Sequence, residues 1–354
     1  YSHFASMDTT VNDIKVKTGE PDMCNPSSFQ NVSDILFNLG RRAGIKPYGE
    51  GERQWLFLEC DGGIYTLVEK LLFNVLHCTI CEESFYGSES FLEHKCSILY
   101  DVTPQHEFGW LVPMPGLLHI EMNACKSFFE LNWDIFMEDI CKTLSFKSPR
   151  ALEFAKKCSD HHKTFKIVEI LYIAATDELL VPYVRHCIRN NSSPSVDGYW
   201  DWSAAVVNPN YHYTQQMVFT FLHSIMLFRV GCRHGNGDAT VAGRDKLALL
   251  FYGRNHPRYR RIMTVNKYIE KMMPPSLNDL VHSSLTLSRV GNAGHYQGGD
   301  ACLEEINKEA KSWVSPVGVP TEKEWEKVFR NLDSLNKVFM SCIIVIFNSL
   351  TLAS

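Results

Sequence analysis

The chain has 354 residues, of which 45% are hydrophobic and 21% charged, as in an ordinary globular protein of two or three domains. Its formal net charge of −5 excludes a strongly basic protein that coats nucleic acid, so phosphate contacts would need a local basic patch. The twelve cysteines are scattered and follow no signal peptide, which indicates a reducing, intracellular compartment. Because the first residue is Tyr1 rather than Met, we expect the chain to be a piece of a longer protein.

The first predicted elements alternate between helix and strand. Residues 1–24 are polar and lack periodicity, so they are predicted to form a linker. Apolar residues at helical spacing over Ile35–Ala43 predict a helix, and the apolar run Gln54–Cys60 predicts a buried strand. This strand ends in a sharp turn at Asp61–Gly63, and a second amphipathic helix is predicted over Tyr65–Leu76.

A cluster of cysteine and histidine follows the second helix. Two residues separate Cys78 from Cys81, twelve more precede His94, and Cys96 comes after one further residue. The first three have the spacing of a ββα zinc finger, in which two thiolates and an imidazole bind one tetrahedral Zn²⁺. Positions i and i+2 of a continuous helix point to nearly opposite sides, so the helix must unwind after His94 for Cys96 to bind. We predict a structural zinc site in a finger-like insert at 77–97, with a hairpin of buried, reduced cysteines as the alternative.

A second strand and a large helical region come next. The apolar run Phe108–Met114 predicts another buried strand, and Leu117–Asn123 enters a helix. From 124 to 290, apolar residues recur at three- and four-residue intervals, which predicts an all-helical insertion. Residues 291–335 are predicted to contain two return helices. The tail over 336–354 carries an apolar run that is too short to span a bilayer, so we expect no membrane contact.

Positive charge is concentrated within the helical region. The segment from Arg229 to Arg261 contains eight Lys and Arg residues and two Asp residues. Its net charge is therefore +6, which leaves −11 for the rest of the chain. Guanidinium groups suit phosphates, and aromatic rings suit unstacked bases. Taken alone, the pattern favours a solvated turn between helices, which Pro257 would support, and DNA contact is the alternative. The candidate binding residues are Arg254, Arg258, Tyr259, Arg260 and Arg261.

Acidic residues lie at the end of the first predicted strand and on a predicted return helix. Asp61 ends the first strand, and Asp300 and Glu304 share one face of a return helix by their spacing of four. Carboxylates from separate elements that converge on two Mg²⁺ or Mn²⁺ ions about 4 Å apart are what a two-metal nuclease or transposase requires. The structural alternatives are a turn at Asp61, a helix cap at Asp300 and an i,i+4 ion pair at Glu304.

Several segments resemble a family of long, mobile-element-associated proteins, abundant in cnidarian and fungal genomes and catalogued as a domain of unknown function. The resemblance covers most of the chain, from about residue 20 to residue 332. The segments that carry it are Cys60-Asp61-Gly62, Pro113–Asn123, Phe146–Pro149, Asn208–Tyr213, Phe251–Gly253 and Gly299–Lys308.

The organisation of that family is similar to that of cut-and-paste transposases, whose RNase H-like core is split by a helical insertion. The resemblance implies that Asp61 is the first metal-binding carboxylate, that His119 follows the core strands, and that Glu304 is the last carboxylate. Some relatives carry an acid two residues before the matching histidine, where this chain has Leu117. Glu121 and Asp101 are alternative sources of the middle carboxylate, and His119 has the alternative of a buried, hydrogen-bonded residue.

The sequence as a whole predicts an α-rich α/β protein. Residues 25–123 would form the first part of an RNase H-like core, and 124–290 the helical insertion. The function we expect is that of a transposase-derived, nuclear, DNA-binding protein, able to form a homo-oligomer. Its chemistry would be Mg²⁺- or Mn²⁺-dependent cleavage or transfer of DNA phosphodiesters, retained or lost in this copy. The alternative is a non-catalytic nucleic-acid or protein-interaction module with a structural Zn²⁺.

Overall fold

The computed structural model describes residues 26, 28–45, 55–100, 102, 104–288, 290–312, 314, 321, 323–328, 330 and 331. The predicted linker at 1–24 and the predicted tail at 336–354 lie outside the described residues. The chain divides into two compact units. The boundaries between them in the sequence lie between Met114 and Pro115 and between Gly298 and Gly299. One unit is helical, and the other contains the strands together with the C-terminal helix.

The strand-containing unit begins with a helix that is capped at both ends. Helix α1 spans Phe29–Ala43, where the Ser28 hydroxyl accepts a hydrogen bond from the Asn31 N–H, and Gly44 ends the helix at φ 69°. Strand β1 (Leu56–Cys60) leads into helix α2 (Gly62–Asn74). Apolar side chains of α1 and α2 pack together around Phe108, which is fully buried.

Two small sheets complete this part of the unit. Strand β2 (Val75–His77) pairs antiparallel with β3 (Ser84–Tyr86), and helices α3 (Ser88–Glu93) and α4 (Lys95–Leu99) follow. Strand β4 (Gln105–His106) pairs with the other edge of β2, while β5 (Leu111–Pro115) pairs with β1. The α-rich α/β class that the sequence predicts is confirmed, whereas an RNase H-like arrangement of the core stays a prediction.

The other unit consists of helices. They are α5 (Leu117–Asn132), a π-helical turn (Trp133–Met137), α6 (Glu138–Thr143), α7 (Pro149–Lys156), α8 (His161–Arg189), α9 (Val196–Ala204), α10 (Pro209–Gln216), a second π-helical turn (Met217–Leu222), α11 (His223–His234), α12 (Gly237–Gly253), α13 (Pro257–Met272) and α14 (Pro275–Ser284). Its core includes Phe128, Ile225, Phe228, Leu247 and Phe251, all fully buried. No helix within the described residues has the length and apolar character needed to cross a bilayer.

The C-terminal part returns to the strand-containing unit. Helix α15 (Gly299–Ser312) begins where the sequence predicts a return helix, and it packs against β1. Further along, the Thr321 hydroxyl and the Glu324 carboxylate exchange hydrogen bonds with each other's backbone N–H groups. This reciprocal pair is a capping box, the arrangement typical of a helix N-terminus.

Helices α11 and α12 approach each other closely because glycines stand at their contact. A Cβ added at Gly243 would lie 2.6 Å from the Phe228 backbone nitrogen, and one added at Gly231 would lie 2.5 Å from the Thr240 nitrogen. These are backbone atoms, so neither helix can relieve the clash by turning a side chain. The packing of the helical unit therefore depends on the absence of side chains at these two positions.

Gly243→Ala is expected to lower the free energy of unfolding by about 1–3 kcal/mol, because the new methyl group pushes α11 away from α12. The matched control is Gly253→Ala on the same helix, where the nearest atom to an added Cβ is 3.9 Å away. That change is expected to be neutral or to stabilise the protein by up to about 1 kcal/mol, because alanine favours helix. Urea unfolding monitored by circular dichroism measures both, and equal effects at the two positions would contradict the close-contact explanation.

Candidate metal centre

The finger is built on the antiparallel pair of strands β2 and β3. Cys78 and Cys81 occupy the turn between them, and Cys78 donates its N–H to the Glu83 carbonyl at 3.0 Å. The Glu82 N–H donates in turn to the Cys78 carbonyl at 2.9 Å. These backbone bonds fold the turn tightly, so that both cysteine side chains are placed on the same side of the hairpin for a shared ligand.

The helical part of the finger is interrupted at His94. Helix α3 ends at Glu93, His94 has an extended backbone (φ −76°, ψ 155°), and α4 starts at Lys95. Spacing alone requires such a break if both His94 and Cys96 are to face one ion, and the structure confirms it. The interruption lies at the histidine itself, which caps the N-terminal end of α4.

Four potential ligands meet at this break. One ligand atom from each of Cys78, Cys81, His94 and Cys96 lies within 4.8 Å of the other three. Four ligands around one tetrahedral Zn²⁺, at about 2.0–2.3 Å from the metal, require separations of about 4 Å from one another. The three sulfurs and one imidazole are also the donor types that structural zinc sites use. The residues therefore fit a closed, structural zinc site.

The histidine is oriented for metal binding by its other ring nitrogen. Nδ1 of His94 donates a hydrogen bond to the Phe91 carbonyl, which leaves Nε2 with the lone pair. Nε2 is buried, and the Cys78 thiol is the group that faces it. A lone pair on Nε2 and the Cys78 sulfur can both bind one ion that lies between them. The orientation of the His94 ring therefore supports the fit.

The pKa values of the Cys78 and Cys96 thiols are shifted in opposite directions. Burial raises the pKa of Cys78, but hydrogen bonds from the Cys81 and Ile80 backbone and the nearby His94 ring outweigh it and lower the pKa to about 6. Burial, a hydrogen bond with Cys81 and the charges of Cys81 and Cys78 raise the pKa of Cys96 to about 11. Three thiolates in such proximity repel one another, so the fully ionised cluster needs a divalent cation.

Aromatic side chains pack against the histidine of the site. Phe91 is fully buried, and its ring lies 5.9 Å from the Phe85 ring in an edge-on arrangement. The His94 ring packs at an angle against both, with its centroid 4.4 Å from that of Phe85 and 4.8 Å from that of Phe91. These two phenylalanines form the small hydrophobic core of the finger together with Leu76 and Val102.

Two of the predicted catalytic carboxylates, Asp61 and Asp300, belong to the strand-containing unit. Asp61 caps α2, where its side chain accepts the Gly63 N–H at 3.0 Å. Asp300 is buried in the first turn of α15. Burial, followed by the charges of Glu59, Asp61 and Asp300, raises the pKa of the Cys60 thiol to about 12. All three carboxylates are therefore near enough to Cys60 for their charges to act on its thiol.

The other two predicted catalytic residues are Glu304 and His119. Glu304 is exposed one turn further along α15. His119 is half-buried in the first turn of α5, within the helical unit. Glu121, an alternative for the middle carboxylate, is buried between Arg229, at 2.6 Å, and His161, at 2.7 Å. Its charge is already neutralised within the helical unit. The other alternative, Asp101, lies outside the described residues.

Glu59 belongs to the carboxylate group but was not among the predicted site residues. Its side chain accepts the Gly299 N–H at 2.6 Å, across 240 positions of sequence. In the sequence, Glu59 appears as one residue of a buried strand, and its contact with α15 depends on tertiary structure. The one local signal is the position of three polar or ionisable residues, Glu59-Cys60-Asp61, at the end of an apolar run.

The predicted DNA-binding residues surround the start of α13. Arg254, Arg258 and Arg261 are exposed, and Arg254 pairs with Glu130 at 2.7 Å. The guanidinium of Arg260 lies over the Tyr252 ring at 5.6 Å. Tyr259, in contrast, is only 4% exposed and packs against Phe251. Its ring is part of the core and is not presented to a base.

Comparison with known proteins gives no further assignment. No protein-family model, no curated protein and no solved structure matches this chain. The function therefore has to be argued from the site itself.

Proposed function

We propose that this chain is a transposase-derived DNA-binding protein whose finger is held by a structural Zn²⁺ ion. The observation that carries the metal assignment is the convergence of Cys78, Cys81, His94 and Cys96. When bound, the ion would neutralise the thiolates and lock the hairpin to the two short helices. One zinc ion per purified chain, measured by elemental analysis, is the expected result. A folded, metal-free finger would contradict the assignment.

The origin in a mobile element is supported by the family resemblance of the segments around Asp61, His119 and Glu304. Such a protein acts on DNA, and we therefore propose nuclear localisation, with no membrane contact. The capacity to form a homo-oligomer is part of the same proposal, because transposition joins two DNA ends. Size-exclusion chromatography with light scattering measures the oligomeric state directly.

DNA contact is assigned to the exposed arginines at the start of α13. Arg258 and Arg261 lie in the first two turns of the helix, and Arg254 precedes it. Guanidinium groups bind phosphates by paired hydrogen bonds, and they stay charged at any physiological pH. Since Tyr259 is buried, the contact would be made to the DNA backbone and would not depend on base sequence.

Arg258→Gln is expected to weaken binding to duplex DNA of any sequence and to lower the slope of log K against log salt by about 1. The reason is that one phosphate contact fewer releases about one counterion fewer. Fluorescence anisotropy over a range of salt concentrations measures both quantities. Arg150→Gln, which removes an exposed arginine from α7, is the matched control and should leave the slope unchanged.

A second candidate function is metal-dependent cleavage of DNA. It is favoured by Glu59, Asp61 and Asp300, whose charges all act on Cys60 at the end of β1. Bound Mg²⁺ or Mn²⁺ would supply an activated water and would stabilise the leaving oxygen. Asp61 and Asp300 would hold the metal, with Glu304 as a further carboxylate.

Cleavage of supercoiled plasmid in Mn²⁺ is the test of this second candidate. We expect Asp61→Asn and Asp300→Asn each to reduce nicking by at least about 100-fold if the carboxylates hold the metal, because each removes a charged ligand. Glu309→Gln, at a half-buried position further along α15, is the control. Equal activity in all variants would assign the nicking to a contaminant, and absence of nicking from the zinc-loaded protein would leave DNA binding as the function.

A further inference from the structure

The surface of the finger carries the wrong charge for contact with nucleic acid. From His77 to Tyr100 the sequence contains four glutamates and one lysine, a balance of −3. The four are Glu82, Glu83, Glu89 and Glu93, and all are exposed. Zn²⁺ bound by three thiolates and a neutral imidazole would add one further negative charge. Phosphates are therefore repelled from the finger, although its ligand spacing is that of a DNA-binding module.

The same finger exposes several large apolar side chains that are close together in the sequence. Leu92 is 62% exposed, Ile98 is 70% exposed and Leu99 is 60% exposed, while Tyr100 follows at 58%. All four lie within nine residues, on α3 and α4 or directly after them. Inward positions of the finger are occupied by Phe85 and Phe91, so the outer four are not needed for its core. An apolar group of this size on so small a module is typical of an interaction site.

Acidic and apolar residues alternate on the exposed face of α3. Glu89 and Glu93 are four positions apart, and Leu92 lies three positions after Glu89, so the three share one side of the helix. A partner that covers Leu92 also meets both carboxylates. A complementary partner surface is an apolar stripe flanked by Lys or Arg. The opposite charges of the two surfaces speed their association, and the apolar side chains provide affinity.

We propose that the finger is a protein-docking module that binds an amphipathic, basic helix of a partner protein. The surface that receives this helix, here termed the docking face, consists of Leu92, Ile98, Leu99 and Tyr100 with Glu89 and Glu93. Zinc would hold α3 and α4 in place, and the side chains of the docking face would bind the partner helix. This assignment separates the finger from DNA contact, which belongs to the arginines of α13, and it does not depend on any catalytic activity.

The experiment uses the zinc-loaded full chain and two fluorescein-labelled probes. The first is a synthetic 14-residue amphipathic helix of leucine and lysine, and the second is its counterpart with glutamate in place of lysine. Anisotropy is expected to show binding of the leucine–lysine helix, and binding of the leucine–glutamate helix at least about tenfold weaker. The double variant Leu92→Ser with Ile98→Ser should weaken the first interaction at least about tenfold. Glu89→Gln with Glu93→Gln should weaken it several-fold and reduce its salt dependence.

Controls make the result specific to the finger. Val207→Ser removes a side chain that is 93% exposed in the helical unit, and it should leave peptide binding unchanged. Each variant must retain one zinc ion per chain, which shows that the finger is still folded. The proposal is overturned if the double serine variant binds the peptide as tightly as the original chain. It is also overturned if that variant loses duplex-DNA binding, or loses self-association in sedimentation, since the occupant would then be DNA or a second copy.

Discussion

Replacing Cys78 with Ser is expected to abolish zinc binding and to unfold the finger, while the helical unit keeps its structure. Cys78 is the fully buried ligand, and it lies at the centre of the finger's hydrogen bonds and apolar core. Zinc contributes about 10–16 kcal/mol to the folding of small finger peptides at pH 7, far more than this small core can provide. Elemental analysis measures the metal, and hydrogen exchange over residues 75–100 measures the loss of order.

Removal of zinc with a chelator should reproduce the effect of the substitution and should be reversible when zinc is restored. Cys158→Ser is the matched control, because Cys158 lies in the helical unit, between α7 and α8. It should retain one zinc ion and normal exchange in the finger. Full protection of residues 75–100 in metal-free protein would show that the finger is stable without the ion and would exclude the structural zinc site.

Glu270→Gln is expected to lower the free energy of unfolding by about 3–5 kcal/mol, because it leaves the charge of Arg244 buried without its main counterion. The two side chains pair between α12 and α13, and their residues are only 2% and 7% exposed. A second carboxylate near Arg244 is that of Asp245, at 3.7 Å, which is exposed and also pairs with Lys267. It cannot replace a buried, directly bonded partner.

Two further variants separate the cost of the buried charge from a general loss of packing. Arg244→Met combined with Glu270→Leu removes both charges, and it should recover most of the lost stability. Glu138→Gln breaks an exposed pair with Lys142 on α6 and should cost about 0.5 kcal/mol or less. Thermal and urea unfolding measure all three. If the double variant were as unstable as Glu270→Gln alone, the loss would come from packing and the ion-pair explanation would be wrong.

The metal ligands could be identified from sequence because local spacing determines them. Cys78 and Cys81 belong to one turn, and His94 and Cys96 flank one break in a helix, so their positions follow from short-range geometry. Strand β4 was not predicted, since two residues are too few to show a pattern. Its pairing with β2 depends on a chain segment almost thirty residues away, which no local window includes.

Tertiary contacts explain where the other sequence predictions were incomplete. Glu59 meets the start of α15 through a contact that periodicity does not reveal. The burial of Tyr259 did have a signal: Tyr259, Ile262, Met263 and Asn266 recur at three- and four-residue intervals, and all four are buried in α13. The prediction that Tyr259 binds DNA together with the neighbouring arginines did not take this apolar periodicity into account. A residue between charged neighbours can be predicted to be exposed only if it does not also belong to a series of apolar residues at helical spacing.

The extended backbone at His94 divides what would be one helix into pieces of six and five residues. Segments of that length have no helical stability of their own, because nucleation costs more than so few hydrogen bonds return. The order of α3 and α4 therefore depends on four ligands and two phenylalanines, and hardly on the outward-facing side chains. Those outward positions are free to diversify during evolution without unfolding the module. A metal at the break thus separates the residues that maintain the scaffold from those that can acquire a new specificity.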